Sequence, residues 1–190
     1  MAVAAQSFLE KGYAGTTMSG IAATLGGSKG TLWNYFSAKE DLFAAVIDHV
    51  TIAYRAQLSE ILDESSTDMV TTLTRVCMSM IGKVASPEAI ALNRLVVAEA
   101  GRFPEMGRIF YDRAPRQIHM LLGRFLQRAI DRAELRDEED PVELARILMS
   151  LSLAGTQQKL LVGLIDNTTP EMMVSDVDRA VKIFMRAYAL

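Results

Sequence analysis

The chain has 190 residues, half of them hydrophobic, with 12 glycines and 5 prolines, so it can bury a sizeable core and is neither disordered nor collagen-like. Its formal net charge of −3 excludes a protein that coats nucleic acid indiscriminately. A single cysteine, Cys77, excludes an internal disulfide framework and a multi-cysteine zinc site, and fits a reducing compartment.

Long amphipathic stretches with little β-branched alternation predict an all-α protein. A helix over residues 1–11 places Val3, Ala4, Ser7 and Phe8 on one side, with Gly12 as its left-handed stop. Thr17 then caps a short helix in which Met18, Ile21, Ala22 and Leu25 fall at helical spacing. Gly26 and Gly27 interrupt it, Ser28 offers a second cap, and residues 31–36 form a second short helix rich in aromatics. Two short helices joined by a tight glycine turn are the sequence form of a helix-turn-helix, whose second helix enters the DNA major groove. Ile21, Leu25 and Leu32 are expected to form its small core, with Ala22 allowing close crossing and Gly26 a positive-φ turn.

Residues 1–50 carry three lysines against four acids, but residues 16–39 hold Lys29 and Lys39 and no acid. The electrostatic footprint for a nucleic acid is therefore local and small. Next, Ser37–Glu40 fits a capping box, with Glu40 reaching back to the Ser37 amide. It opens a longer helix striped by Leu42, Phe43, Val46, Ile47 and Val50, extended by Ile52, Leu58 and Leu62, and able to link the front domain rigidly to the rest.

These residues resemble the tetracycline-repressor (TetR) family. The likeness is carried by Phe8 to Tyr13, Thr16 to Met18, Ile21-Ala22, Ser28 to Phe36 and Lys39 to Leu42, and is close over about the first 50 residues. Two positions depart from the pattern: Gly27 stands where an apolar residue such as Val is usual, and Trp33 where Tyr is usual. The chain also begins partway into the family's first helix. The resemblance implies a three-helix DNA-binding domain over residues 1–48 and a ligand-binding, dimerising helical bundle over residues 49–190.

The candidate DNA contacts are Thr17, Ser28, Lys29, Gly30, Thr31, Trp33, Asn34, Tyr35 and Lys39. Thr17 caps its helix and can also meet a phosphate. Lys29 and Thr31 sit early on the second helix, where base edges are met, and Gly30 allows close backbone approach. Trp33 and Asn34 can meet a thymine methyl and a base edge. Tyr35 and Lys39 match family positions that anchor phosphates.

Beyond the front domain, a helix over residues 68–85 carries Val70, Leu73, Val76, Cys77, Met80 and Ile81 on one face. Ser86-Pro87-Glu88 opens another, running to about residue 100, and Pro104 starts the next. Pro115 interrupts the run, after which a helix to about residue 135 carries Ile118, Leu121, Leu122, Phe125 and Ala129 on one face. Arg116, Arg124, Arg128 and Arg132 read as its solvated face. The acidic stretch 137–140 precedes Pro141, suited to a helix N-terminus. Residues 144–164 then read as one helix, apolar on most sides, and a final helix from about Pro170 carries Val174, Val177, Val181, Phe184 and Tyr188. These last two helices are expected to form a two-fold homodimer.

In the family, the middle helices enclose a small-molecule pocket that controls the spacing of the two heads. Cys77, Met78, Met80, Phe110 and Gln158 are candidates for its lining, and Arg94, Tyr111, His119, Met120 and Gln157 are the candidate ligand-binding residues. Eleven methionines suit an adaptable apolar cavity, although Met and aromatic residues on helices are more often plain core. Two histidines and one cysteine give little material for a nucleophile–base pair, and no metal or phosphate-loop motif is present, so neither enzyme nor cofactor is expected. The apolar runs, such as residues 147–155, are too short and serine-broken to span a bilayer, and a signal peptide's n- and h-regions are lacking. The expectation is a cytoplasmic, effector-responsive repressor that binds a palindromic duplex operator as a dimer; the alternative is a ligand-binding or interaction bundle whose helix-turn-helix no longer binds DNA.

Overall fold

The computed structural model describes residues 1–26, 29–63 and 68–190, with residues 29–31 described by their backbone. Gly27 and the expected cap Ser28 lie outside the described residues, as do the side chains of Lys29 and Thr31 and the surroundings of Gly30. Regular structure among the described residues is helical: α1 (Ala2–Gly15), α2 (Met18–Thr24), α3 (Lys29–Tyr35), α4 (Lys39–Asp63), α5 (Met69–Val84), α6 (Pro87–Glu99), α7 (Pro104–Arg113), α8 (Pro115–Asp131), α9 (Pro141–Leu153), α10 (Thr156–Leu161) and α11 (Pro170–Tyr188). No helix among the described residues is long and apolar enough to cross a membrane. The helices group into two compact units, Met1–Ala53 with Ala91–Arg116, and Tyr54–Ile90 with Gln117–Leu190.

The first unit is built on an aromatic cluster. Phe8 and Tyr13 stack at 5.7 Å between ring centroids, and Phe43 meets both edge-on at 5.1 and 5.4 Å. Partly buried Phe103 closes on Tyr13 at 5.2 Å, and Ile21, Leu42, Val46, Ile47 and Met106 are among the side chains buried with them. Each such side chain contributes about 1.5–3 kcal/mol by leaving water. Leu25, expected in this core, is 55% exposed: α2 ends at Thr24, and Leu25 is the capping residue that leads into the Gly26 turn.

Gly12 breaks α1 with the positive φ expected of it, at φ 73°, but its ψ of 170° is not left-handed helical, and one further turn follows to Gly15. The cap of α4 is also displaced by one residue from the sequence reading. Asp41, not Glu40, reaches back, accepting from the Ser37 hydroxyl at 2.6 Å and the Ala38 amide at 3.1 Å. Glu40 is taken instead by the Tyr13 hydroxyl at 3.0 Å.

In the second unit, α11 lies against α9 and α5 around Leu73, Val76, Met80, Leu122, Phe125, Leu144, Leu148, Val177 and Phe184. Asp68 caps α5 by accepting from the Thr71 amide at 3.0 Å, and Asp140 caps α9 at the Val142 amide at 2.8 Å. Val70 and Val174 share the spacing of their helices' apolar stripes but are 42% and 45% exposed, each lying in a solvent-facing early stretch. The four arginines read as a solvated face are indeed exposed.

The long apolar helix expected over residues 144–164 is two helices, α9 and α10, broken at Ala154 and Gly155. The cause is Asp176 of α11, whose carboxylate accepts from the Thr156 amide at 2.7 Å and from Arg179 at 2.6 Å. A Cβ on Gly155 would overlap that carboxylate. Burial alone would raise the Asp176 pKa, but the bonds from Thr156 and Arg179 outweigh it and hold the carboxyl below its ordinary range.

Helix α8 stops at Asp131 rather than near residue 135. Ala133 turns the chain at φ 55°, its amide donating to Ile130 O at 2.8 Å and the Glu134 amide to Ala129 O at 3.0 Å. This is a Schellman stop with alanine where glycine is favoured. It delivers buried Leu135 to an antiparallel bridge with Ala189. Because a left-handed L-residue is strained, Ala133→Gly should stabilise the fold by about 0.5–1 kcal/mol, read as a raised thermal midpoint. An unchanged or lower midpoint would contradict that strain.

Candidate nucleic-acid interface

The helix-turn-helix rests on two threonines. Thr17 accepts from the Gly20 amide at 3.1 Å, meeting one orphan donor at the start of α2. Thr16 is buried, its hydroxyl within hydrogen-bond distance of the Ser7 and Gly12 carbonyls at 2.9 and 2.7 Å, which pins the connection from α1. Gly26 then turns the chain at φ 67°, as its place between two short helices requires.

Helix α3 hides one face and offers the other. Leu32 and Phe36 pack on the unit's core, whereas Trp33 is 48% and Tyr35 77% exposed, and Asn34 between them is exposed as well. An aromatic, an amide and a phenol thus share a short exposed run with no acidic side chain in α2 or α3. Thr17 is exposed beside its cap bond. Lys39 is already partly engaged: its ammonium donates to the Tyr13 carbonyl at 2.8 Å and lies 4.2 Å from the Tyr13 ring centroid. That cation–π contact holds the first residue of α4 in place and leaves the ammonium two further donors.

Glu99, at the end of α6, was not singled out by the sequence. Its carboxylate accepts from the Tyr13 amide at 2.9 Å and the Ala14 amide at 2.8 Å. These are the donors that the break at Gly12 would otherwise leave orphaned. The fit is tight, since a Cβ on Gly12 would lie 2.5 Å from Glu99 Oε1. Burial first, and then the Glu40 carboxylate, keep the Tyr13 phenol neutral beyond the ordinary tyrosine range. An ion pair between Arg113 of α7 and Asp48 of α4 adds a second tie within this unit.

The expected effector-reading residues do not form one cluster in either unit. Arg94 and Tyr111 are exposed in the first. His119, Met120 and Gln157 belong to the second, where His119 is buried, Gln157 half-buried and Met120 exposed. Burial, reinforced by Arg146 and opposed by Glu143, lowers the His119 pKa, which favours a neutral ring. Phe110, also considered, packs on the core of the first unit. Among the described residues no group of three or more His, Cys, Asp or Glu could hold a metal.

If Glu99 organises the turn, Glu99→Gln should cost about 1–2 kcal/mol in denaturant unfolding and speed hydrogen exchange at the Tyr13 and Ala14 amides. Gly12→Ala should cost about 2 kcal/mol or more, through the positive φ and the overlap with Glu99. Unchanged exchange in Glu99→Gln would show the two bonds to be incidental.

Residues 71–190 match the family model for the C-terminal domain of AefR-like transcriptional repressors, and residues 1–46 that for bacterial regulatory proteins of the tetR family. No curated protein matches the chain significantly. Among solved structures, a TetR-family transcriptional regulator from Mesorhizobium loti MAFF303099 is similar at 24% identity, over 100% of this chain and 94% of that one, with a TM-score of 0.84. The flavonoid-responsive regulator FrrA is similar at 29% identity over 99% and 94%, with a TM-score of 0.80. SmeT, the repressor of the Stenotrophomonas maltophilia multidrug efflux pump SmeDEF, is similar at 25% identity over 100% and 88%, with a TM-score of 0.65. The exposed face of α3, its capped and acid-free setting and these matches converge: the chain belongs to the tetR family of bacterial regulatory proteins, ligand-responsive regulators of transcription that bind DNA.

Proposed function

We propose that the protein is a cytoplasmic repressor that binds a palindromic operator as a two-fold dimer and is released by a small apolar effector. The observation that carries this reading is the exposed run Trp33-Asn34-Tyr35 on a helix set beyond a glycine turn, in a stretch free of acids. In it, Lys29 and Thr31 meet base edges, Gly30 lets the backbone approach, and Trp33 and Asn34 meet a thymine methyl and a base edge. Thr17, Ser28, Tyr35 and Lys39 take phosphates, which position the helix without reading sequence. The alternative, a bundle whose helix-turn-helix has lost DNA binding, is not favoured.

Dimerisation is supported by apolar side chains that one subunit leaves in water: Val162 at 79%, Leu164 at 71%, Val174 at 45% and Ile183 at 44% exposure, on and around α10 and α11. A two-fold axis there would repeat the recognition helix at one DNA turn or a multiple of it. The effector is read in the second unit, where His119, Gln157 and Met120 are the candidates. The likeness to FrrA, a flavonoid-responsive regulator, supports an aromatic, weakly polar molecule. A ligand favouring the non-binding arrangement weakens DNA binding by the factor with which DNA weakens ligand binding.

Selection of bound duplexes from a random pool at moderate salt tests the reading, and should return a palindrome with regularly spaced half-sites. On that operator, Tyr35→Phe and Lys39→Ala should weaken binding to every sequence alike, Lys39→Ala also lowering the salt slope by about one ion per half-site. Thr31→Ala should instead relax one position by about 1–3 kcal/mol. Equal loss on every sequence for all three variants would overturn these assignments.

A further inference from the structure

Among the described residues, one buried side-chain oxygen or nitrogen has no hydrogen-bond partner: the hydroxyl of Tyr54. Tyr54 lies on α4 within the second unit, 8% exposed, in the same core as Leu58, Leu73, Met80, Leu122 and Phe125. A phenylalanine would fill such a place without leaving a polar atom unserved, and an unserved buried hydroxyl is costly. The hydroxyl of Ser79, on α5, is near enough to favour the ionised phenol, yet no bond of ordinary geometry joins them.

The groups that act on Tyr54 are neutral. Burial dominates and pushes its phenol above the ordinary range, with Cys77 reinforcing and Ser79 opposing. The Cys77 thiol is itself raised to about 11 by burial, moderated by Ser152, whose hydroxyl is spent on the Leu148 carbonyl at 2.9 Å. Tyr54, Cys77 and Ser152, with half-buried Ser79 beside them, thus make a short uncharged polar strip at an aliphatic and aromatic core. Among the described residues that act on Tyr54 and Cys77 none is a counter-ion for a charged ligand, and a pure hydrocarbon would leave the hydroxyl unpaired.

We propose that this strip is the effector-reading element, and that the Tyr54 hydroxyl recognises a neutral, largely apolar molecule bearing a hydroxyl or carbonyl oxygen, phenols being the simplest class. The proposal rests on the effector-responsive reading above. It adds to the second-unit candidates one buried atom without a hydrogen-bond partner among the described residues. Sites built to pair a ligand's polar group discriminate strongly against the analogue that lacks it.

Calorimetric titration of the full chain with 1-naphthol and with naphthalene tests it. The unaltered protein should bind 1-naphthol about ten-fold or more tightly than naphthalene. Tyr54→Phe should bind naphthalene as before and bring the ratio to about two-fold or less. Equal binding of the two probes by the unaltered protein, no binding of either, or a preference that survives in Tyr54→Phe would each overturn the proposal. The ratio in the unaltered chain decides even if Tyr54→Phe does not fold. Ligand-free binding to the selected operator is scored separately: a chain that holds its operator but shows no preference loses only this proposal. One that shows the preference but holds no duplex loses only the regulator reading.

Discussion

The reading head depends on one carboxylate meeting two amides. The first helix breaks at Gly12 so that Tyr13 can turn inward beneath Phe8, Phe43 and Phe103, and that break strips two backbone donors of their helical acceptors. Glu99 supplies both acceptors at once. With Tyr13 held there, its hydroxyl orients Glu40, its carbonyl receives Lys39, and its ring lies under the lysine's charge. The start of α4 and the end of α1 are therefore set by the same residue. The connection to α2 is pinned by Thr16 against the carbonyl of that same Gly12.

That arrangement separates two tasks along a short stretch of chain. Residues that hide, among them Phe8, Tyr13, Ile21 and Phe43, make the platform. Those that stay exposed, Thr17, Trp33, Asn34 and Tyr35, are borne on it without competing for its hydrogen bonds, Thr17's cap apart. Lys39 belongs to both, since a strongly solvated ammonium can serve an inner carbonyl and still keep donors for a phosphate.

Much of this was legible in the sequence because it is local. Caps announce themselves within three residues, and Thr17, Ser86 and the prolines at 87, 104, 115, 141 and 170 all mark real helix starts. The positive-φ turn at Gly26 follows from its place between two short helices. What was illegible comes from partners far along the chain. Nothing near Gly155 says that Asp176 will split the helix there, and nothing near Tyr13 points to a carboxylate 86 residues away. Leu25 failed for a nearer reason: periodicity counts residues, but the helix it belonged to had already ended. Ala133 failed because a left-handed alanine has no sequence signature, where a glycine would have had one. The candidate effector residues were chosen as polar or pliable groups amid apolar ones, a rule that passed over Tyr54, whose distinction is a missing partner and so visible only in three dimensions.

The first unit is assembled from two separate passages of chain, Met1–Ala53 and Ala91–Arg116. During synthesis, a ribosome that has released the three front helices has not yet made Glu99, Phe103 or Met106. Until it does, the Tyr13 and Ala14 amides and one side of the aromatic cluster remain in water. The head thus matures only after more than half the chain has emerged, an ordering imposed by sequence separation rather than by helix stability. A gene fragment ending near residue 53 encodes every residue named as a DNA contact and still omits the acceptor that organises them.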